Sequence, residues 1–275
     1  MGEILESRDG FKWYVEREDH RLPLNDGEYS VRLMLYRLAS SDAVFVDVGA
    51  HVGEYTVRMA RVYGRVIAFE PNPLSFNVLK RNLELNGIYN VTLFRMACGS
   101  GRGRMKLFLF GGSSTLLRTV ESSRVVEVEV VRLDDVIDHA DVVKIDVEGW
   151  EEEVVKGAMG LIKRCKPVLI IEHHEYRGYE ECKGMKERII EMLPDYYHFD
   201  LNGVHTLYVP KGYDLTKVRE AIAWHWINKA IKNLEEDRPW YYGFPRNWWY
   251  GAGIVDIFLA LPDHVIDERE WIEKA

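Results

Sequence analysis

The chain has 275 residues, 47% of them hydrophobic and 29% charged, with a formal net charge of −8. That length suits one large α/β domain with an appendage, and the ordinary apolar fraction excludes disordered and fibrous classes. No apolar run approaches the ~20 residues that cross a bilayer, and the acidic average argues against a uniformly basic surface, so neither membrane nor DNA is expected as a partner.

Read in chain order, residues 1–40 form an N-terminal extension with a helix at Glu28–Leu38, where Val31, Leu33, Met34, Leu35 and Leu38 make a wide apolar stripe. A domain over 41–275 follows. Ala43–Val48 is a buried strand, then comes a glycine-containing turn and a helix from Tyr55 to Val62. Arg65–Phe69 is a second strand and Pro73–Leu85 a second helix, closed by Asn86-Gly87. Val91–Met96, Met105–Phe110 and Val125–Val131 are strand segments, the last alternating Val126, Val128 and Val130 with Glu127 and Glu129. Val142–Asp146 is another buried run, Glu151–Ile162 a helix and Val168–Ile171 a strand; Tyr196–Asp200, Thr206–Val209 and Ile254–Leu261 are late strands. Strands alternating with helices at this spacing imply βαβ units and a doubly wound, mainly parallel, Rossmann-like sheet.

Two compositional facts accompany this reading. Cys98, Cys165 and Cys182 are scattered and odd in number, with no metal-ligand spacing, and residues 1–11 hold no apolar leader, so a reduced, cytoplasmic protein without a metal site is expected. There is no Gln in the chain while Glu, Lys and Arg abound, a thermophile tendency.

The first strand ends in Asp47-Val48-Gly49-Ala50-His51-Val52-Gly53. Gly49 permits a tight turn and close approach of a ligand, and Gly53 starts the next helix. A dinucleotide fingerprint wants a glycine where His51 stands, and Asp47 would repel a pyrophosphate. A ligand with a cationic head suits Asp47 better, which favours S-adenosylmethionine over NAD. The second strand ends in Glu70-Pro71-Asn72, placing an acid 21 residues after Gly49 to receive a ribose diol. The strand before residue 147 ends in Asp146, with Glu148 beyond it; both should face cofactor and acceptor at the carboxyl ends of the strands.

DVGAHVGEYT, AFEPNP, KIDVEGWEEEVVKGA and KPVLIIEHH, with Ser113-Ser114-Thr115-Leu116, resemble the FkbM family of class I S-adenosylmethionine-dependent methyltransferases over about residues 43–172. The resemblance implies a seven-stranded sheet with an antiparallel last strand. It also implies cofactor contacts at Asp47, Gly49, Gly53 and Glu70, with His51, Asn72 and Asp146 beside them, and O-methylation of a sugar or natural-product hydroxyl.

Asp146, Glu148 and His173 are the candidate catalytic groups. His173 and His174 are adjacent on a strand, so they cannot easily ligate one ion. An aromatic-rich helical insertion is expected at 211–253, between late strands and on the ligand side. Its Trp240, Arg246, Asn247, Trp248 and Trp249 would bind the acceptor by stacking, form a lid, or make a dimer contact. Basic character is also local to 95–132, with Arg95, Arg102, Arg104, Lys106, Arg118, Arg124 and Arg132. The acceptor placed first is therefore a nucleobase in structured RNA. A sugar or small-molecule hydroxyl is the alternative, a non-catalytic cofactor-binding module the third reading, and monomer or homodimer is left open.

Overall fold

The structure, a computed structural model, describes residues 2–24, 28–110, 114–117 and 124–235. The chain opens with a hairpin of β1 (Glu3–Glu6) and β2 (Lys12–Val15), a 3-10 stretch at Glu18–Leu24, and α1 (Tyr29–Leu38). Next come β3 (Val44–Val48), α2 (Glu54–Met59), β4 (Arg65–Phe69), α3 (Pro73–Leu85) and β5 (Val91–Phe94). A side sheet follows, built from β6 (Ala97–Cys98), β7 (Gly103–Phe108) and β8 (Val125–Val131). Then come α4 (Leu133–Val136), β9 (Val142–Ile145), α5 (Glu151–Gly157), α6 (Met159–Cys165) and β10 (Val168–Glu172). The described chain ends with α7 (Met185–Met192), β11 (Tyr196–Asp200), β12 (His205–Pro210) and α8 (Thr216–Glu235).

Seven strands form the main sheet in the order β11-β12-β10-β9-β3-β4-β5. All neighbouring pairs from β10 to β5 are parallel, while β12 runs antiparallel to both β10 and β11. The apolar runs VFVDV, RVIAF, VVKI and VLIIE are covered on both faces, which is why they lack strict alternation. Phe45, Val66, Ala68, Val142 and Ile170 pack under one layer with α1, α2 and α8 residues; Val46, Val48, Ile145, Leu169 and Ile171 pack under the other. Each such side chain contributes about 1.5–3 kcal/mol by leaving water.

The sheet corrects the expected ending. β12 supplies an antiparallel strand by an immediate hairpin from β11, so among the described residues seven strands are in place by Pro210, before the aromatic-rich segment. Because β12 is antiparallel, it delivers the chain to the edge opposite the parallel strands' carboxyl ends. Residues 211–253 therefore start away from the ligand side, and α8 begins by packing on α1, with Arg37 Nη1 at 3.4 Å from Glu220 Oε2. Ile254–Leu261 lies outside the described residues. The expected helix Glu151–Ile162 is in fact α5 and α6, broken at Ala158; a Cβ on Gly157 would overlap the Gly99 carbonyl oxygen there.

The N-terminal extension is built into the domain. Asn82, buried on α3, accepts the Tyr14 N–H at 2.7 Å through Oδ1 and donates to the Val52 carbonyl at 2.8 Å through Nδ2. Asn86 repeats the clamp on Lys12, accepting its N–H at 2.9 Å and donating to its carbonyl at 2.7 Å. Buried Arg58 pairs with Asp9 and lies 5.1 Å over the Trp13 ring. Replacing Asn82 by Ala orphans a buried N–H and a buried carbonyl, so urea unfolding should show a loss of about 2–4 kcal/mol. A change below about 0.5 kcal/mol would mean that the hairpin is not anchored through Asn82.

Candidate active site

Strand order reverses between β3 and β9, and a cleft of about 450 Å³ opens beyond the carboxyl ends of the strands at that point. Gly49 forms its floor with φ +89°; a Cβ there would overlap the Asp146 carbonyl oxygen on the neighbouring strand end. His51, also left-handed at φ +48°, donates its backbone N–H to Glu70 Oε2 at 2.7 Å, and Asn72 donates its own to Glu70 Oε1 at 2.7 Å. Glu70 is thus aimed along the cleft wall by the two loops it joins. The His51 ring faces Asp19 of the N-terminal 3-10 stretch, Nε2 to Oδ2 at 3.4 Å, and both residues line the cleft.

Three expected cofactor residues do not line the cleft. Asp47 shares the sheet face of Phe45, accepts the Thr56 hydroxyl at 2.6 Å, and stands in register opposite Lys144 of β9. Burial raises its pKa against the opposing pull of Lys144. Gly53, φ +94°, begins α2, and a Cβ on it would press into Leu79. Asn72 caps α3 by accepting the Leu74 N–H at 3.0 Å. These residues shape the site from behind.

The opposite wall is a network of charge. Lys144, 2% exposed, donates to Asp146 Oδ2 at 2.9 Å and lies 4.5 Å over the Tyr55 ring. Glu148 is held at φ +58°, a strained conformation for a side-chain-bearing residue, with its carbonyl accepting the Thr115 hydroxyl at 2.7 Å. Glu151 Oε1 gathers the same turn, accepting the Gly149 N–H at 3.0 Å and the Val147 N–H at 3.2 Å, and lies 2.7 Å from His174 Nδ1. His174 Nε2 lies 3.3 Å from Glu148 Oε2, 3.4 Å from Glu172 Oε1 and 3.8 Å from Asp146 Oδ1. Arg177 Nη2 reaches Glu148 Oε2 at 2.7 Å from the rim.

His173 is corrected as a catalytic candidate. Its Nε2 lies 3.2 Å from the Tyr208 hydroxyl, buried behind the sheet edge, and it does not line the cleft. Adjacent residues leave β10 in opposite directions, and it is His174 that turns inward. Lys144, Glu151 and His174 also belong to the site, although the sequence motifs that contain them do not single them out. Trp240, Arg246, Asn247, Trp248 and Trp249 lie outside the described residues.

The network sets the ionisation of its members. Burial opposes the Lys144 ammonium, but Asp146, then Asp47 and Glu28, outweigh it and raise its pKa. Burial also opposes the Asp146 carboxylate, yet Lys144, then His174, hold it below the usual range. Glu148 is pushed up to about 7, by burial first and Asp146 next. Burial, followed by Glu28, raises Glu54 to about 7 beside Arg32. His174 rises to about 9 because Glu151, Asp146 and Glu148 together overcome its burial. His173 falls to about 3, through burial and then Lys186. At neutral pH the wall therefore presents an ionised Asp146 and a Glu148 poised to exchange a proton, backed by a buried cationic His174.

A mainly parallel seven-stranded sheet, with a glycine turn and strand-end carboxylates at its switch point, defines a Rossmann-like methyltransferase. Residues 47–201 match the family described as Methyltransferase FkbM domain, and the chain belongs to that family. It is 30% identical over 147 residues to Methyltransferase 1 of Beauveria bassiana, covering 42% of this chain and 58% of that protein. It is 28% identical over 153 residues to the hexuronic acid methyltransferase AglP of Haloferax volcanii, covering 54% and 63%. The crystal structure of methyltransferase FkbM from Methylobacillus flagellatus is 22% identical with a TM-score of 0.44, covering 62% of this chain and 44% of that one. The chain spans about three fifths of the length of the curated relatives it matches.

S-adenosyl-L-methionine is the cofactor, and the residues present fit it. Gly49 leaves the backbone open where a side chain would fill the turn. Glu70 offers a fixed carboxylate for a ribose diol, Phe69, Met96, Ala97, Leu107 and Leu116 line an apolar slot for a base, and Asp146 offers a permanent anion to a cationic head. Gly49→Ala should destabilise the protein by at least about 3 kcal/mol, since it combines a left-handed φ with backbone overlap. Calorimetric titration with S-adenosylhomocysteine should show affinity falling at least about 100-fold alongside. A stable variant that binds normally would show that β3 and β9 do not meet at this turn.

Proposed function

We propose that the protein transfers the methyl group of S-adenosyl-L-methionine to a hydroxyl oxygen of a small polyhydroxylated acceptor of the sugar class. The observation that carries this reading is the acceptor wall itself: Asp146, Glu148 and Glu172 converge on the cleft, with Glu148 raised to about 7. Carboxylates accept hydrogen bonds from several hydroxyls at once, and a base with a pKa near neutrality is best matched to removing one of their protons. The likeness to a protein named as a hexuronic acid methyltransferase supports the same class. A nucleobase in structured RNA would bring phosphates toward this acidic wall. In the flanking sheet and the helix after it, Arg102 pairs with Asp135, Arg104 with Glu127 and Arg132 with Asp134, which weakens the basic patch that favoured RNA.

When bound, the cofactor supplies a methyl group activated by its sulfonium. The chain's own contribution is alignment and proton handling. Asp146, locked ionised by Lys144, fixes a partner hydroxyl or the cofactor's cationic head without itself titrating. Glu148 is placed to take the proton of the acceptor hydroxyl, whose oxygen would gain the methyl group as the carbon–sulfur bond breaks and S-adenosylhomocysteine leaves. Cationic His174, anchored by Glu151, steadies both carboxylates and cannot serve as a base at neutral pH.

The test is methylation with cofactor carrying a labelled methyl group, offering a panel of monosaccharides and uronic acids in parallel with total RNA. Label should enter the small-molecule fraction; label in RNA alone would overturn the hydroxyl reading. Turnover should climb with pH through about 7 and then level, because Glu148 acts only when deprotonated and its pKa is raised. Glu148→Gln should lower turnover by about 100-fold or more and flatten that limb, with S-adenosylhomocysteine affinity nearly unchanged.

A further inference from the structure

Beside Glu148 and Asp146 lies a second group of ligating atoms, which shares the wall's Glu172 and meets His174 through that residue's Oε1. Glu28, at the start of α1, Glu172, at the end of β10, and His205, at the start of β12, bring one ligand atom each within 4.8 Å of one another. His205 Nε2 is 3.3 Å from Glu172 Oε2 and 4.0 Å from Glu28 Oε2. Donor atoms bound at about 2.1 Å around one ion stand about 3.0–4.2 Å apart, and both spacings to His205 fall within that range.

An independent feature points the same way. The His205 side chain is 1% exposed, and its Nε2 makes no hydrogen bond although it is directed at the two carboxylates. A buried imidazole nitrogen without a partner is costly in a protein interior. The ring is held from behind by the Asn202 amide: Nδ1 lies 3.2 Å from Oδ1, which also accepts the His205 N–H at 2.9 Å, and 3.1 Å from Nδ2. In the tautomer that donates from Nδ1 to Asn202 Oδ1, the Nε2 lone pair faces Glu28 and Glu172. The Tyr55 hydroxyl donates to Glu28 Oε2 and steadies that carboxylate.

The neighbouring trio of Asp146, Glu148 and His174 does not compete. Lys144 donates to Asp146, Arg177 pairs with Glu148, and His174 Nδ1 lies against Glu151, so cationic side chains already stand at these carboxylates. Glu28 and Glu172 line the cleft, whereas His205 backs it, so the open side of the second group faces the acceptor space.

We propose that Glu28, Glu172 and His205 form a divalent-cation site on the acceptor side of the cleft. It takes an ion of the Mn²⁺ type through two carboxylate oxygens and one imidazole nitrogen, and leaves its remaining positions to water or to acceptor oxygens. One imidazole with two carboxylates suits such an ion better than a thiophilic one. If the acceptor is a hydroxyl compound, as proposed above, the ion would bind its oxygens and make the reacting hydroxyl more acidic, with its proton still leaving to Glu148. The site itself does not depend on that reading.

The experiment is a Mn²⁺ titration of the 275-residue chain after dialysis against EDTA, with free Mn²⁺ read by electron paramagnetic resonance and no substrate present. One Mn²⁺ per chain should bind with a Kd of about 10⁻⁴ M or tighter. His205→Gln and Glu28→Gln should each weaken it at least about tenfold, while Glu152→Gln, on the far side of α5, leaves it unchanged. Circular dichroism melting checks that the variants fold. If His205→Gln does not fold, Glu28→Gln decides, because that side chain is 34% exposed at the rim. No saturable Mn²⁺ binding by the wild type, or equal affinity in folded Glu28→Gln, overturns the proposal whatever the protein methylates.

Discussion

A single buried ammonium holds the middle of this sheet edge together. Lys144 sits in register opposite Asp47, donates to Asp146, and rests on the Tyr55 ring, with 2% of its surface exposed. Removing an ion from water costs several kcal/mol, recovered only where opposite charges and hydrogen bonds surround it. Here the surroundings are carboxylates that would otherwise repel one another across two adjacent strand ends. The pairing lets the fold place Asp146 at its switch point, where Gly49 brings β3 against the Asp146 carbonyl, as a carboxylate that keeps its charge.

That constraint passes outward and divides labour among similar groups. Asp146, nearest the ammonium, is kept anionic, whereas Glu148, two residues on and beyond the direct reach of Lys144, feels mainly burial and the Asp146 charge. The strained left-handed backbone of Glu148 is part of the same device. Thr115 holds its carbonyl and Glu151 holds the turn on either side, so the carboxyl group is fixed by backbone contacts and not by its own rotamer alone. His174 closes the circuit from β10, carrying a positive charge between three carboxylates.

Much of this was legible in the sequence. Apolar runs of four to five residues, separated by helical stretches and ending in glycine or acid, locate β3, β4, β9 and β10 and put Gly49, Glu70, Asp146 and Glu148 at one edge. What escaped depends on pairing between distant segments. Asp47 was assigned to the ligand, yet the period of two places it with Phe45 on the α2 face, and only the register with β9 reveals Lys144 as its partner. The choice between His173 and His174 turns on how the chain leaves β10. The N-terminal hairpin has strands of four residues each, too short to register as a pattern, and its anchors are amides on α3. The antiparallel place of the hairpin between the two short runs Tyr196–Asp200 and His205–Pro210 was not legible, because such runs carry no long-range signal of where they sit in the sheet.

The division of ionisation between Asp146 and Glu148 is the claim on which the reading of this site rests. Carboxyl ¹³C shifts of the selectively labelled protein, followed by NMR across pH and assigned with Asp146→Asn and Glu148→Gln, measure it directly. Glu148 should titrate with a midpoint of about 7, while Asp146 stays ionised from about pH 4 upward. A Glu148 that titrates at an ordinary carboxylate value, or an Asp146 that takes up the proton near neutrality, would contradict it.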